Sequence, residues 1–153
     1  MDKTNVMRIL DNAHINYSIY HYENETNGLN VAKLLNKDPN MVFKTLVTVG
    51  SDFNHYVFMV PVCAELDLKK AAQAAHVKNI EMIKQKELLP LTGYIHGGCS
   101  PIGMKKKFPS FIDETALLFD RIIFSAGKIG YQEEVDVNEI IKFLDSSVCD
   151  LTT

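Results

Sequence analysis

The sequence predicts an α+β fold, in which helices pack around a mixed or mostly antiparallel β-sheet. Two apolar, β-rich runs lie next to each other near the middle of the chain, with a turn between them. Short strand-like segments follow in the last third, and amphipathic stretches occur at both ends. With 153 residues, 46% hydrophobic and 23% charged, the chain fits a single globular domain that spans residues 1–153.

The N-terminal part of the chain predicts helix, strand and helix in that order. Residues 3–13 carry Val6, Ile9 and Leu10 at helical spacing, and residues 17–22 look extended. A short helix should follow and end at the Asp-Pro dipeptide at 38–39, because the residue before a proline disfavours helical geometry. Its predicted apolar face consists of Val31, Leu34 and Leu35.

The middle and the end of the chain supply the sheet. Residues 41–49 and the run HYVFMVPV, joined by a turn at 50–54, should pair as a central hairpin. Asp67 and Asp136 are predicted N-caps, each opening a helix. Between these helices we expect three strands, at Ser110–Asp113, Arg121–Ser125 and Gly130–Val135. The last helix should direct four residues to the core, namely Val137, Ile140, Ile141 and Leu144.

The charge is unevenly distributed along the chain. Residues 1–109 contain 13 Lys/Arg and 10 Asp/Glu, a balance of +3, whereas residues 110–153 contain 3 and 9, a balance of -6. Eight lysines occur between Leu66 and Lys107, against three acidic residues. This segment could dock a polyanion, or its lysines could simply be solvated.

Several classes of protein are disfavoured. The three cysteines are widely separated and form no CxxC pair, and the five histidines show no metal-ligand spacing, so we expect reduced thiols, no metal and no cofactor. No apolar run approaches the ~20 residues that span a bilayer, and the polar start is not a signal peptide. The expected location is the cytoplasm, without a membrane partner.

Three features have the composition of an anion site. The segment TGYIHGGCSPIGMKKK, at 92–107, combines closely spaced glycines with Lys105, Lys106 and Lys107, which suits either an anion or a turn with a solvated lysine run. Lys44 interrupts an apolar strand, where it either faces solvent or lines a cleft. The motif SAGKIG at 125–130 is weak alone, because it lacks P-loop spacing.

Taken in order, Tyr22, VFKTL at 42–46, LDLKK at 66–70, the GYIHGGCSPIG loop and SAGKIG resemble the YbaK/EbsC family of free-standing Cys-tRNA(Pro) deacylases. The likeness covers nearly the whole chain. It implies the family's fold, which is partly barrel-like and related to the editing domain of bacterial prolyl-tRNA synthetases. It also implies trans-editing of mischarged Cys-tRNA(Pro), with prolyl-tRNA synthetase as an expected partner.

The resemblance also implies roles for individual residues. Lys44 matches the family's essential lysine and would hold phosphate or ester oxygens of the terminal adenosine. The other implied substrate-binding residues are Tyr22, Thr45, Gly97, Gly98, Ser100, Ser125 and Gly127, with Lys105, Lys106 and Lys107 as the tRNA approach. In the family mechanism the substrate's own cysteine thiol attacks its carbonyl and releases a cyclic thiolactone.

Alternatives remain open at this level. The chain departs from common family residues at Cys99, Asn27 and Gln132, and related proteins edit Ala-tRNA(Pro). The resemblance therefore defines the class of reaction more closely than it defines which amino acid is removed. Cys99 could instead act as a nucleophile with His96 as its base. A non-catalytic tRNA-binding module is a further alternative, and its affinity should depend on salt but not on the attached amino acid.

Overall fold

In the computed structural model, which describes residues 2–153, helices and strands alternate along the chain and confirm the predicted α+β class. The helices are α1 (Asn5–Asn12), α2 (Gly28–Leu34), α3 (Leu68–Ala75), α4 (Gln85–Thr92) and α5 (Val137–Leu144), with a 3₁₀ turn at Glu114–Leu118. The strands are β1 (Tyr17–His21), β2 (Phe43–Gly50), β3 (His55–Pro61), β4 (Ile80–Met82), β5 (Ser110–Asp113), β6 (Arg121–Ser125), β7 (Tyr131–Asp136) and β8 (Ser147–Cys149).

The strands form two sheets that touch at one point. An antiparallel sheet has the order β1-β7-β6, and a mixed sheet has the order β4-β2-β3-β5-β8, in which β5 pairs in parallel with β3 and β8. The predicted hairpin is confirmed as the antiparallel pair β2–β3. A parallel bridge between Val42 and Ile123 joins the sheets. The strands of residues 2–153 do not close into a barrel.

Two large apolar cores lie on opposite faces of the mixed sheet. The first fills the space between the two sheets and is closed by α1 and α5, and the second lies beneath α3. Side chains alternate between the faces of a strand, so neighbouring residues of β3 enter different cores. Met59 belongs to the first core, whereas Phe58 and Val60 belong to the second.

The predicted helix caps are confirmed. The Asp67 carboxylate accepts hydrogen bonds from the first backbone N–H groups of α3, and Asp136 accepts one from the first turn of α5. These contacts satisfy N–H groups that have no partner within the helix. None of the helices between residues 2 and 153 has the length and apolar character needed to cross a membrane.

One predicted helix face was wrong, and several elements were not predicted. Leu34 is 59% exposed, because α2 directs Val31, Ala32 and Leu35 inward and Leu34 lies on the other side. The sequence analysis also missed α4, β4, β8 and the 3₁₀ turn. The two strands and the 3₁₀ turn are short, and α4 contains Pro90, a residue that normally ends a helix.

Lys70 anchors the end of the chain. Its ammonium donates to both oxygens of the Asp150 carboxylate at 3.0 and 2.9 Å and to the Thr152 carbonyl at 2.6 Å. Leu151 is thereby held fully buried in the core beneath α3. This lysine of the LDLKK motif therefore contacts the protein itself rather than an external polyanion.

A carboxylic acid is buried in the core between the sheets. Glu133 of β7 has no exposed surface, and neither of its side-chain oxygens has a hydrogen-bond partner. In the strand register it lies between Ile19 of β1 and Phe124 of β6. Burial raises the pKa of Glu133 well above its ordinary value of 4.5, so folding favours the protonated form of this group.

Replacing Glu133 with leucine should stabilise the protein, and the gain should grow with pH. Between its ordinary pKa and its raised pKa in the folded protein, the unfolded chain releases the proton that the folded chain retains, so the wild-type free energy of unfolding falls by up to about 1.4 kcal/mol per pH unit through this group. Urea titrations of wild type and Glu133→Leu between about pH 5 and about pH 8 measure the difference.

Glu134→Gln is the matched control for that experiment. Although partial desolvation works to raise the pKa of Glu134, hydrogen bonds from Tyr20 and Arg121 lower it overall. Its stabilising contribution is therefore lost only as the pH falls, and the difference from wild type should stay constant above about pH 5. A Glu133→Leu difference that is equally flat over this range would contradict the buried, protonated state.

Candidate functional site

A cleft of about 350 Å³ opens where the two sheets diverge. The parallel bridge pairs Val42, just before β2, with Ile123 of β6, and the Ile123 N–H donates to the Met41 carbonyl at 2.9 Å. Two residues beyond the bridge, Lys44 and Ser125 face the cleft from opposite strands. The join between the sheets therefore places a cation and a hydroxyl at the base of the cleft.

Lys44 is half-buried and carries an ammonium that is free to bind a ligand. It lies opposite Val60 in the β2–β3 register and lines the cleft. The ion pairs formed within residues 2–153 do not include it. Thr45, the next residue, also lines the cleft, and its buried hydroxyl has no hydrogen-bond partner.

The antiparallel sheet supplies a set of hydrogen-bonding groups. Tyr22 and Gln132 are each 7% exposed, and the Gln132 amide nitrogen donates to the Tyr22 hydroxyl at 3.0 Å. Ser125, also 7% exposed, pairs with Gln132 in the β6–β7 register. Its hydroxyl accepts from the Gly127 N–H at 3.1 Å, which fixes the position of the oxygen. Burial raises the pKa of Tyr22, so its hydroxyl remains a donor.

The loop between α4 and β5 covers the cleft. His96, Gly97 and Cys99 line it. Gly97 has a φ of 88°, and a Cβ there would lie 2.6 Å from the Thr26 Cγ2 atom. This position therefore requires glycine both for its backbone conformation and for its close approach to Thr26.

Three of the predicted binding residues lie outside the cleft lining. Gly98 packs against the backbone at Lys128 and Ile129, where a Cβ would come within 3.2 Å of the Ile129 nitrogen. Ser100 is fully buried and accepts from the Ile102 N–H. Gly127 positions the Ser125 hydroxyl but does not line the cleft. Sequence analysis grouped these residues with the cleft because they neighbour its lining residues in the chain.

The lysine run of the loop does not line this cleft. The Lys105 side chain lies over Gly93, and its ammonium donates to the Pro90 carbonyl. Lys106 and Lys107 line a second, largely apolar cleft of about 340 Å³. The structure thus places these three lysines farther along the loop than the residues that contact the first cleft.

The cleft also includes residues for which the sequence analysis assigned no role. Thr26, Glu65 and Leu88 line it, and Asn27 uses its side-chain oxygen to cap α2. Glu65 directly precedes the LDLKK motif and Leu88 lies four residues before the loop segment at 92–107, but neither belongs to the residues that carry the motifs. Within residues 2–153, no three His, Cys, Asp or Glu side chains are grouped so that they could hold a metal ion.

A family model described as the aminoacyl-tRNA editing domain matches residues 27–143. Over 154 residues the chain is 42% identical to a protein of Enterococcus faecalis, provisionally named Cys-tRNA(Pro)/Cys-tRNA(Cys) deacylase EbsC, and the match covers 99% of this chain and 94% of the relative. The matched segment contains every residue that lines the cleft except Tyr22 and Thr26.

Solved structures share the fold at lower sequence identity. A structure described as a trans-editing enzyme for prolyl-tRNA synthetase superposes with a TM-score of 0.84 at 21% identity and covers 99% of each chain. A hypothetical protein superposes with a TM-score of 0.91 at 17% identity, over 98% of this chain and 100% of its own. These likenesses confirm the predicted fold.

Cys99 has the wrong protonation state for a nucleophile. Burial raises the pKa of its thiol to about 12. Nucleophilic cysteines instead have a lowered pKa, because the thiolate is the attacking species. The structure therefore disfavours the alternative in which Cys99 attacks the substrate.

Cys99 should react slowly with iodoacetamide. At about pH 8 roughly one Cys99 thiol in 10,000 is ionised, given a pKa of about 12. We expect its alkylation to be at least about 100-fold slower than that of the exposed Cys63, as measured by mass spectrometry of the two peptides. In urea the two rates should converge, and equal rates in the folded protein would show that Cys99 is activated.

Proposed function

This chain belongs to the aminoacyl-tRNA editing domain family, and from that premise we propose that it is a trans-editing deacylase that removes cysteine mistakenly attached to proline tRNA. Residues 1–153 would act as one editing domain. The observation that carries the proposal is the Lys44 ammonium, which lines a cleft opposite Ser125 and forms no ion pair with any residue between 2 and 153. The nearly full-length similarity to the Enterococcus faecalis protein supports it.

The 3′ end of an aminoacyl-tRNA offers oxygens to this cation. Lys44 would bind phosphate or ester oxygens of the terminal adenosine and stabilise charge as the ester breaks. The hydroxyls of Tyr22, Thr45 and Ser125 would donate to the same end of the substrate. Gly97 lets the covering loop lie close to the cleft, while Gly98, Ser100 and Gly127 hold the loops in place.

The attacking group would be the substrate's own thiol. Its sulfur forms a bond to the ester carbonyl carbon and loses a proton, the bond from that carbon to the ribose 3′ oxygen breaks, and the released oxygen takes up a proton. The products are free tRNA and a cyclic thiolactone, which water then opens to cysteine. The protein contributes position and electrostatic stabilisation, so no protein nucleophile is required.

This reaction separates amino acids by their chemistry. Cysteine, alanine and proline are similar in size, and a pocket gains only about 1–3 kcal/mol from a difference of one methylene group. Alanine and proline carry no thiol, so neither can follow the intramolecular route. The proposed selectivity for cysteine therefore does not require a tightly fitted side-chain pocket.

The proposed partners are cysteine-bearing tRNA(Pro) and prolyl-tRNA synthetase. The exposed Lys106 and Lys107 are available to tRNA phosphates, and Lys105 lies on the same loop. A site of this kind binds the common 3′ end of tRNA, which does not distinguish one tRNA from another. Selection of tRNA(Pro) would come from the synthetase, and the reaction would require no metal.

Replacing Lys44 with methionine should reduce single-turnover release of cysteine from Cys-tRNA(Pro) by about 100-fold or more. Methionine keeps much of the aliphatic length but removes the charge. Lys33→Met removes an exposed charge from α2, outside the cleft, and should retain wild-type activity. Both variants should unfold at the wild-type urea concentration to within experimental scatter.

Full activity in a folded Lys44→Met protein would remove the basis of the proposal. Loss of activity in the Lys33 variant to the same degree would indicate a general effect of charge rather than a role in the cleft. A chelator should leave wild-type release unchanged, and chelator-sensitive hydrolysis would contradict the metal-free reaction.

A further inference from the structure

Three side-chain oxygens in the cleft already have partners. Asn27 caps α2 with its oxygen, the Tyr22 hydroxyl accepts from Gln132, and the Ser125 hydroxyl accepts from Gly127. The hydroxyl groups remain able to donate, as does Lys44. The cleft therefore offers a ligand several donors, and the acceptors that remain can be considered one by one.

Two buried polar atoms in the cleft lining have no partner: the Thr45 hydroxyl oxygen and the Gln132 side-chain carbonyl oxygen. The two differ in chemistry. A hydroxyl can either donate or accept, whereas the amide oxygen can only accept. Gln132 is 93% buried, since its exposed fraction is 7%, and leaving such a buried acceptor without a hydrogen bond is unfavourable.

A hydrogen bond from its nitrogen holds the orientation of the Gln132 amide. Its nitrogen donates to the hydroxyl of Tyr22, the residue that follows β1, at 3.0 Å, and this contact occupies the NH₂ end. The backbone of Gln132 is fixed in β7, the middle strand of the antiparallel sheet, where it pairs with Tyr20 of β1 and Ser125 of β6. The carbonyl oxygen is therefore left to accept a hydrogen bond from a ligand, because no described residue of the protein donates one to it.

The aminoacyl end of the substrate supplies such a donor. Its α-amino group carries two or three N–H bonds and no competing negative charge. The cleft lining also contains the Glu65 carboxylate, but that residue is exposed, so Gln132 is the more deeply buried acceptor of the two. A neutral amide also accepts from the amino group without forming an ion pair that would neutralise Lys44.

We propose that the Gln132 carbonyl oxygen binds the α-amino group of the aminoacyl ester, so that the enzyme acts on free-amino substrates and rejects N-acylated ones. This inference rests on the proposed function and adds a specificity-determining contact to it. This oxygen is shielded from solvent in the free protein, so the proposal requires the surrounding cleft side chains, rather than the amide, to move when the amino group binds. An acyl group on the amine would remove N–H donors and occupy the same space.

The test compares cysteinyl-tRNA(Pro) with N-acetylcysteinyl-tRNA(Pro) in single-turnover reactions of three proteins. Both substrates keep the thiol, so intramolecular attack remains possible with either. With wild type, the rate of release from the free-amine substrate divided by the rate from the N-acetyl substrate should be about 10- to 100-fold larger than the same ratio without enzyme. Gln132→Met, of similar length but without the acceptor, should reduce this preference to the uncatalysed ratio.

Gln132→Glu provides the rescue, because it restores an oxygen acceptor at the same distance along the side chain. It should prefer the free amine at least as strongly as wild type. A Gln132→Met protein that keeps the wild-type preference, or a Gln132→Glu protein that behaves like the methionine variant, would overturn the inference. Failure of wild type to release cysteine from the unblocked substrate would instead overturn the proposed function itself.

Discussion

The site depends on the backbone join between the two sheets at Val42 and Ile123. The Val42 carbonyl accepts from the Val62 N–H at 2.8 Å, while the preceding Met41 carbonyl accepts from Ile123 at 2.9 Å. The strands run parallel here, so the residues that follow on each side emerge next to each other before the sheets separate. This contact brings together Lys44 and Ser125, which are 81 positions apart in sequence.

Alternation along one strand then separates three acidic or amide side chains into different environments. Gln132 faces the cleft, Glu133 enters the core between the sheets, and Glu134 returns to the first face, where Arg121 and Lys37 pair with it. Because successive side chains of a strand point to opposite faces of the sheet, the register of β7 determines this arrangement. A one-residue slip would place Glu134 in the core and Glu133 in the cleft. The register is therefore as important to the site as the identity of its residues.

The sequence was sufficient for the elements that carry strong local signals. The hairpin β2–β3 follows from two apolar runs, and the Asp67 and Asp136 caps mark where α3 and α5 begin. The three-residue strands β4 and β8 have no such signal, because pairing with distant partners stabilises them. Leu34 was assigned to the wrong face because α2 is too short for its periodicity to define one.

The residues that line the cleft could be predicted only in part. Lys44, Thr45, Tyr22, Gly97 and Ser125 line the cleft, and their types and motifs were visible in the sequence. Gly98 and Ser100 could not be separated from them, because neighbours in one loop can face a ligand or pack on the protein. The orphaned Gln132 oxygen could not be foreseen either, since only the fold shows which hydrogen bonds remain unmade.

The central claim is that the substrate's thiol performs the attack while Lys44 and its surroundings position the ester. The most direct measurement is single-turnover release from cysteinyl-, alanyl- and prolyl-tRNA(Pro) by the same wild-type protein. The account predicts rapid release of cysteine and release of alanine and proline at close to their uncatalysed rates. Release of alanine as fast as cysteine would contradict it, because that reaction has no thiol to use.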